Sequence, residues 1–246
     1  MAYPGRAVQK GDARTDVVKQ VQQRLIDVGC GPLDVDGVFG DGTESAVKLF
    51  QTRRSLQADG VVGPQTWDAL FLETPVVRDQ APTPLLASVL QIAVSQNGVR
   101  ETPGQPNTGP EVNAYLASVG LNPGFPWCQA FVYWSFDKAA TGAGVANPCV
   151  RTAGVLDHWA KSPTTARVYA QAAFDNPELV RPGAIFIIDH GSGKGHAGLV
   201  RSIVSGQINT IEGNTNQAGS REGDSVWEKT RTIGSINVGF IDYGRS

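Results

Sequence analysis

The chain has little cysteine: Cys30, Cys128 and Cys149 are its three thiols in 246 residues. That is too few, and too scattered, for a disulfide framework of the kind that holds small secreted domains together. Positive charge is not in excess either. Lys and Arg number 21 against 23 Asp and Glu, a formal net charge of −2. Nucleic acid is therefore not an expected partner, because its binders carry a basic face. No apolar run reaches the roughly 18 residues that span a bilayer, so membrane insertion is not expected. The opening MAYPGRAVQKGD has no apolar core that could serve as a signal peptide, and synthesis in the cytosol is expected. There is no HExxH and no CxxC pair, so neither a metal nor another cofactor is expected. Only three histidines are present, which leaves few candidates for a general base.

What remains is the composition of an ordinary globular protein, 41% hydrophobic and 18% charged, with 29 glycines and 15 prolines marking many turns. Its length suits one large domain or two small ones. Residues 73–84 hold three prolines and follow neither a helical nor a strand period, so they read as a linker without packed structure. They separate a unit at 1–72 from a larger one at 85–246.

The first unit contains a repeat. Asp36-Gly37-Val38-Phe39-Gly40, followed by Thr43 and Ala46, returns 23 residues later as Asp59-Gly60-Val61-Val62-Gly63, followed by Thr66 and Ala69. A repeat is one supersecondary unit used twice, here a tight turn feeding a helix. A helix is expected over about 15–28, with Val18, Val21, Leu25 and Val28 on one face. A second starts near Asp41, where Asp41 and Glu44 have capping-box spacing and Ala46, Val47 and Phe50 form the buried stripe. A third follows Gly63, with Pro64 at the favoured first position and Trp67 and Leu70 inside. Asp34, Asp36, Asp41 and Glu44 superficially suggest a calcium loop. Gly37 follows the second Asp directly, however, which is not the ligand spacing such a loop needs. A capped turn is the better reading.

Taken together, Gly11-Asp12, Val18, Val21-Gln22, Leu25 and Gly29 with the two repeat copies through Trp67 resemble the peptidoglycan-binding domain of the three-helix type. The likeness covers about residues 9–72. It implies a small all-α wall-binding domain, with bacterial peptidoglycan as partner. Asp36, Phe39, Thr43, Phe50, Gln51, Asp59, Thr66 and Trp67, which lie within the pattern, are expected to carry that binding. Cys30 reads as an incidental small apolar residue.

In the second unit, helices are expected at about 85–97, 110–118, from Cys128 onward and at 152–160. In the third of these, Phe131, Val132, Trp134 and Ser135 should face inward. The pattern then changes to short strands, at about 184–188, 196–204, 208–211, 225–232 and 236–243. Helices first and strands after suggest an α+β domain with an antiparallel sheet.

Candidate chemistry lies where the two halves meet. Pro126-Trp127-Cys128 puts a cysteine at a helix start, where free N–H groups and the helix dipole favour thiolate over thiol. An arbitrary cysteine would read as a small buried hydrophobe; the preceding Pro-Trp and the following polar Gln129 shift this one toward chemistry. Its base must be His158, His190 or His196. His158 sits in a predicted helix, in the manner of a structural histidine. His190 and His196 flank a glycine-rich loop, and His196 opens a strand, which holds an imidazole more firmly than a loop does. Glu212 and Asn214 lie two apart on the next strand, where both can share a face, and either could hold the imidazole. Counted from Gly206, His196 lies 10 residues before and Glu212 6 after. Pairing about a turn at Ser205–Gln207 therefore needs a bulge or a longer loop.

Gly98-Val99-Arg100-Glu101, Asn107-Thr108-Gly109, Pro126-Trp127-Cys128, Arg181-Pro182-Gly183-Ala184-Ile185, Gly195-His196-Ala197-Gly198-Leu199-Val200 and Ile211-Glu212-Gly213-Asn214-Thr215 occur in the order of the CHAP family, and the second unit resembles it. This likeness implies a papain-like fold with N-terminal helices packed on an antiparallel sheet. It implies a cysteine-dependent amidase or endopeptidase acting on the cell wall, in the manner of a phage endolysin. Position by position, Cys128 is the nucleophile, His196 the base and Glu212 the third member, with Asn214 supporting or replacing it. The acidic calcium loop of some members has no match. Cys149 reads as a buried thiol. The backbone N–H of Cys128 is one natural oxyanion donor, and Asn107 is a candidate for a second. A monomer is expected, released to the wall by a holin-type partner. The alternatives are a secreted toxin with an immunity protein, a catalytically dead wall-binding protein, and a metal-dependent hydrolase built on His190 and His196.

Overall fold

The computed structural model describes residues 1–54, 56–72, 77–204, 207–216 and 223–245. The N-terminal unit holds three helices: α1 (Thr15–Asp27), α2 (Asp41–Arg53) and α3 (Pro64–Leu72). Val18, Val21, Leu25, Ala46, Val47, Phe50, Trp67 and Leu70 form its core together with Cys30 and Phe39, and Val28 is only partly buried against them. The apolar stripes at helical spacing thus fall inside, because burying them removes the most apolar surface from water. One local expectation fails. Asp41 is the first residue of α2 rather than its cap, which is Gly40 with no side-chain bond. Asp41 pairs instead with Lys10, and Glu44 with Lys48.

The two repeat copies fold into the same hydrogen-bonded frame. The Gln22 amide donates to Asp36, the Val38 carbonyl and Thr43, and its oxygen accepts from the Gly37 N–H. The Gln51 amide donates to Asp59, the Val61 carbonyl and Thr66, and accepts from the Gly60 N–H. Each buried glutamine thus satisfies all its donors and acceptors by pinning one turn to one helix, which is what a buried amide requires. The Asp36 carboxylate is engaged by Gln22 and by the Val38 N–H, as a turn cap.

The expected linker carries more structure than its composition suggested. Val77–Arg78 form a short strand, β1, that pairs with Val204 and Ile203. Thr83 caps the next helix by accepting from the Leu86 N–H. Its proline content excludes a helix interior but permits an edge strand, where one side needs no ladder partner. Residues 73–76 of this segment, and Ser205 and Gly206 of the expected turn, lie outside the described residues.

Beyond it come α4 (Pro84–Ser95), α5 (Pro110–Ser118), α6 (Cys128–Ala143), α7 (Val155–Lys161), β2 (Arg167–Tyr169), α8 (Ala170–Asp175), β3 (Ile185–Gly191), β4 (Lys194–Val204), β5 (Gln207–Thr215), β6 (Ser225–Thr232) and β7 (Gly239–Ile241). The sheet is antiparallel throughout and runs β2-β7-β3-β4-β5-β6, with β1 beside β4. The fold is α+β, as expected. Alternation divides the strands between two layers. Ile185, Ile187, Ala197, Leu199, Ile211 and Ile241 pack with α4, α5 and α6, whereas Phe186, Ile188, Val200, Ile208 and Phe240 pack on the opposite side. In α6, Phe131, Val132 and Ser135 are buried, while Trp134 is half-exposed beneath Lys138. The strand at 167–169 and helix α8 were not anticipated; three and six residues are too short to show a period. No helix among the described residues is long and apolar enough to cross a membrane.

Candidate active site

Cys128 opens α6, and Trp127 anchors that end. The indole is fully buried against Tyr115, with ring centroids 5.6 Å apart, and its N–H donates to Glu101 at 2.8 Å. From the other side, β5 presses onto the same helix turn. A Cβ placed on Gly213 would stand 2.7 Å from the Trp127 ring and 2.8 Å from Phe131. Only glycine allows that approach, and it brings the end of β5 up to Cys128.

His196 lies on β4 between the strand's first residues and Ala197, which enters the core under α6. Its ring is buried against Phe186, centroids 5.8 Å apart. Nε2 meets Glu212 Oε2 at 2.8 Å. Nδ1 is buried without a nitrogen or oxygen partner, so it is the ring atom left to the thiol.

Glu212 reaches the imidazole by a route that strand counting only half anticipated. Val204 pairs with Gln207 and Ser202 with Asn209, but Val200 pairs with Thr210 and Leu199 with Ile211. The register slips by one residue at Arg201, a bulge smaller than the four-residue asymmetry of the count, so His196 and Glu212 meet diagonally rather than face to face. Continued outward, the pairing sets Glu212 opposite Gly198. A Cβ on Gly198 would lie 2.9 Å from Glu212 Cγ, so the bare glycine lets the carboxylate cross β4 toward His196. A second irregularity, between Glu212 and Thr215, gives Asn214 a left-handed φ of 54°. The simple two-residue alternation fails there. Glu212 bonds the imidazole, and Asn214 instead lines the cleft beside Cys128.

The Glu212 carboxylate is completely buried, and both oxygens are saturated. Oε1 accepts from Thr210 Oγ1 at 2.5 Å and Arg231 Nε at 2.6 Å; Oε2 accepts from Arg231 Nη2 at 2.7 Å as well as from His196. Burial alone would raise its pKa. The Arg231 and His196 bonds and charges outweigh that and bring it down to about 2. For Cys128, burial also raises the pKa, but the hydrogen bond and charge of His196, with the N–H groups of Ala197 and Gln129, bring it below that of an ordinary thiol. His196 moves oppositely: burial lowers its pKa, while Cys128 and Glu212 raise it. The pair therefore favours thiolate and imidazolium together.

Cys128 faces a cleft of about 190 Å³, walled by Pro126, Ala153, Gly154, Val155, Gly193, Lys194, Gly195 and Asn214. The walls are small side chains and backbone, and Lys194 is the cation among the described lining residues. Asn107, the candidate oxyanion donor, is a turn residue with φ 57° whose carbonyl holds the Gly124 N–H. It is not among the described residues of the cleft wall. His190 is exposed at the end of β3, and His158 and Cys149 form a separate buried cluster. Arg231, Thr210, Gly198 and the start of α7 escaped the sequence reading. Arg231 and Lys229 alternate on β6 as basic strand residues do on any solvated edge, with nothing local that points to Glu212.

The wall-binding expectation needs correction. Phe39, Thr43, Phe50 and Trp67 are buried at 2%, 3%, 1% and 1% exposure, so these four build the domain rather than face a polymer, whereas Asp36 stays exposed with its carboxylate bonded to Gln22. Gln51, Asp59 and Thr66 do border an open groove of about 420 Å³, with Leu56, Gln57, Val61, Pro64 and Gln65.

Comparison with known proteins gives two family matches. Residues 14–70 match the family described as "Putative peptidoglycan binding domain", and residues 120–214 match the CHAP domain. A spore cortex-lytic enzyme of Oceanobacillus iheyensis is 32% identical over 108 residues, 44% of this chain and 38% of that one. An uncharacterized protein of Kitasatospora aureofaciens is 42% identical over 76 residues, 30% of this chain and 60% of its own length. A zinc D-Ala-D-Ala carboxypeptidase of Streptomyces albus G is 40% identical over 58 residues, 23% of each chain. The chain thus spans less than two thirds of each of these relatives. Among solved structures, a Burkholderia AP3 phage endolysin aligns over 64% of this chain and 73% of its own, at 24% identity and a TM-score of 0.26, too low to bear on the fold.

Proposed function

From a chain that carries a peptidoglycan-binding domain followed by a CHAP domain, we propose a peptidoglycan hydrolase that cuts an amide bond of bacterial cell wall with Cys128. The observation that carries this is the thiol at the start of α6 set against an imidazole whose other nitrogen is held by a buried, ionised carboxylate.

The thiolate of Cys128 attacks the scissile carbonyl carbon. The oxyanion that forms is met by the backbone N–H of Cys128 at the helix start. The imidazolium of His196 gives its proton to the leaving amine, the C–N bond breaks, and an acyl-thioester remains. Neutral His196 then takes a proton from water, the hydroxide attacks the thioester carbonyl, and the thiolate leaves with the imidazolium restored. Glu212 keeps the ring in the tautomer that presents Nδ1 to sulfur. Asn214, on the cleft wall, is placed to meet the substrate. The small-walled cleft suits an extended peptide, and Lys194 suits a peptide bearing carboxylates.

We take 1–72 and 85–246 as the working units, joined through 73–84. The first tethers the second to an insoluble polymer, which raises its local concentration without adding chemistry. The groove beside Gln51, Asp59 and Thr66 is the surface we assign to that contact. The bond is either the N-acetylmuramoyl-L-alanine amide or a peptide bond of the stem or crosslink. The setting we favour is lysis by a phage enzyme let out by a holin-type partner; neutralisation by a dedicated immunity protein would point to a secreted toxin. Mass spectrometry of digested walls decides the bond. New L-Ala amino termini on intact stems mean amidase, and shortened stems or cut crosslinks mean endopeptidase. Digests in which no amide bond is cut would overturn the proposal and leave a wall-binding protein.

A further inference from the structure

Among the described residues Arg231 alone grips both oxygens of Glu212, with Nε on Oε1 at 2.6 Å and Nη2 on Oε2 at 2.7 Å. It reaches them along the sheet, since its own backbone pairs with Ile208 while Glu212 pairs with Trp227. The guanidinium also lies over the Phe186 ring, 5.2 Å from the centroid, and Phe186 is the ring against which His196 packs. Phe186 therefore supports two of the three side chains that bond the carboxylate, Arg231 and His196. Arg231 is mostly buried, with 21% of its side chain exposed, and Glu212 is wholly so.

A carboxylate in that position needs a counter-charge. His196 cannot be its permanent partner, because the proposed reaction discharges the imidazolium in each cycle. Lys229 reaches Thr215 rather than Glu212, bonding its hydroxyl at 3.1 Å. Thr210 offers a neutral hydroxyl. Among the described residues the charged and titratable groups around Glu212 are thus Arg231 and Lys229 from β6, His196 from β4 and, through His196, Cys128 from α6. Among them Arg231 alone touches Glu212 and keeps its charge throughout.

We infer that Arg231 is a positioning residue: its two-pronged grip holds Glu212 ionised and aimed at His196, and so sets the charge state in which Cys128 reacts. This rests on the reading of Cys128 and His196 given above. With Arg231 present, Glu212 stays charged as acid is added, so the acid limb of Cys128 reactivity reports the loss of one proton. Without it, the buried carboxylate takes up a proton as well, and its hold on the imidazolium goes with it. The limb then moves to higher pH and steepens toward two protons.

The test uses the full chain and iodoacetamide, with labelling of Cys128 followed by peptide mass spectrometry across pH. The thiolate displaces iodide, so no wall substrate is needed. Cys30 and Cys149 are buried thiols whose burial raises their pKa, and they serve as internal slow references. Arg231→Gln is expected to move the acid midpoint up by about one unit or more, a roughly ten-fold loss of labelling on the acid side. Arg231→Lys should recover part of the shift, because it restores charge without the fork. In a Glu212→Gln background Arg231→Gln should produce no upward shift, since its target is gone. Arg201→Gln, which removes an exposed pair with Glu228 between β4 and β6, is the control and should leave the profile in place. An unmoved midpoint in Arg231→Gln, or an equal shift in the Glu212→Gln background, overturns the assignment of Arg231. If wild-type Cys128 labels no faster than Cys30 and Cys149 at any pH, the nucleophile reading itself fails, and the two failures are told apart.

Discussion

The larger, C-terminal part of the chain contains two buried Cys–His contacts, and they behave oppositely. In one, Cys128 meets His196; burial raises the thiol and lowers the imidazole, and the polar surroundings reverse both. In the other, Cys149 Sγ lies 3.8 Å from His158 Nε2, and nothing reverses the effect of burial. Cys149 is pushed well above the ordinary thiol range, and His158 falls to about 4. Proximity of sulfur and imidazole is common to both. What differs is the third partner. Nε2 of His196 faces an ionised carboxylate, itself held by Arg231, whereas Nε2 of His158 faces the neutral Tyr243 hydroxyl at 2.8 Å. Backbone N–H groups also converge on Cys128. A low-dielectric interior keeps a Cys–His pair neutral unless a counter-charge is built beside it. The second cluster serves structure: Tyr243 near the C-terminus ties α7 and the loop at Val150 to the core, and α7 begins at the cleft wall.

The largest expected effect comes from removing each sulfur in turn. Cys128→Ala should reduce the clearing of purified walls by roughly 10⁴-fold or more, while Cys149→Ala should change it only a few-fold, through stability. Equal losses would erase the distinction, and clearing at the wild-type rate in Cys128→Ala would remove the nucleophile. Next, Glu212→Gln keeps the shape and removes the charge that separates the two clusters. A fall of about 10²- to 10⁴-fold in kcat/KM is expected, and a change within two-fold would mean the carboxylate is not what distinguishes them.

The pH profile sharpens the comparison further. Because Cys128 is lowered and His196 raised, to about 9, kcat/KM should be bell-shaped, with an alkaline limb near pH 9 as the imidazolium is lost. An alkaline limb near the ordinary histidine value would contradict the ion pair. The smallest effect is on stability. In the fold His158 stays neutral down to about pH 4, while the unfolded chain protonates it near 6.5. Unfolding therefore takes up a proton as pH falls through that window, and stability declines by roughly 3 kcal/mol from this group. Denaturant titrations of His158→Gln should show a flatter decline between pH 6.5 and 4, and an identical slope would place the proton elsewhere.

Much of the fold was legible because its signals are local. The Asp-Gly repeat, Pro64 after Gly63 and the apolar stripes of α1 to α3 each follow from neighbouring residues, and so do the longer strands. The short pieces were not. Val77–Arg78, Arg167–Tyr169 and Ala170–Asp175 gain order from partners far along the chain rather than from any period of their own. The place of Phe39, Thr43, Phe50 and Trp67 in the resembling pattern suggested ligand contact, yet a pattern residue can equally serve the interior, and burial assigns these four there.

The amino-acid sequence by itself determined which residues could be chemical: one cysteine at a helix start, one histidine opening a strand, and two polar residues on the next. The tertiary structure decided between those two. A one-residue slip at Arg201, the missing side chain at Gly198 and the left-handed turn at Asn214 bring Glu212 onto the imidazole and send Asn214 to the cleft. It also decided the charge, because Arg231 reaches the carboxylate from a strand 19 residues farther along. Strand alternation is written in neighbouring residues, whereas bulges, close approaches and the partners of a buried charge depend on which distant backbone lies alongside.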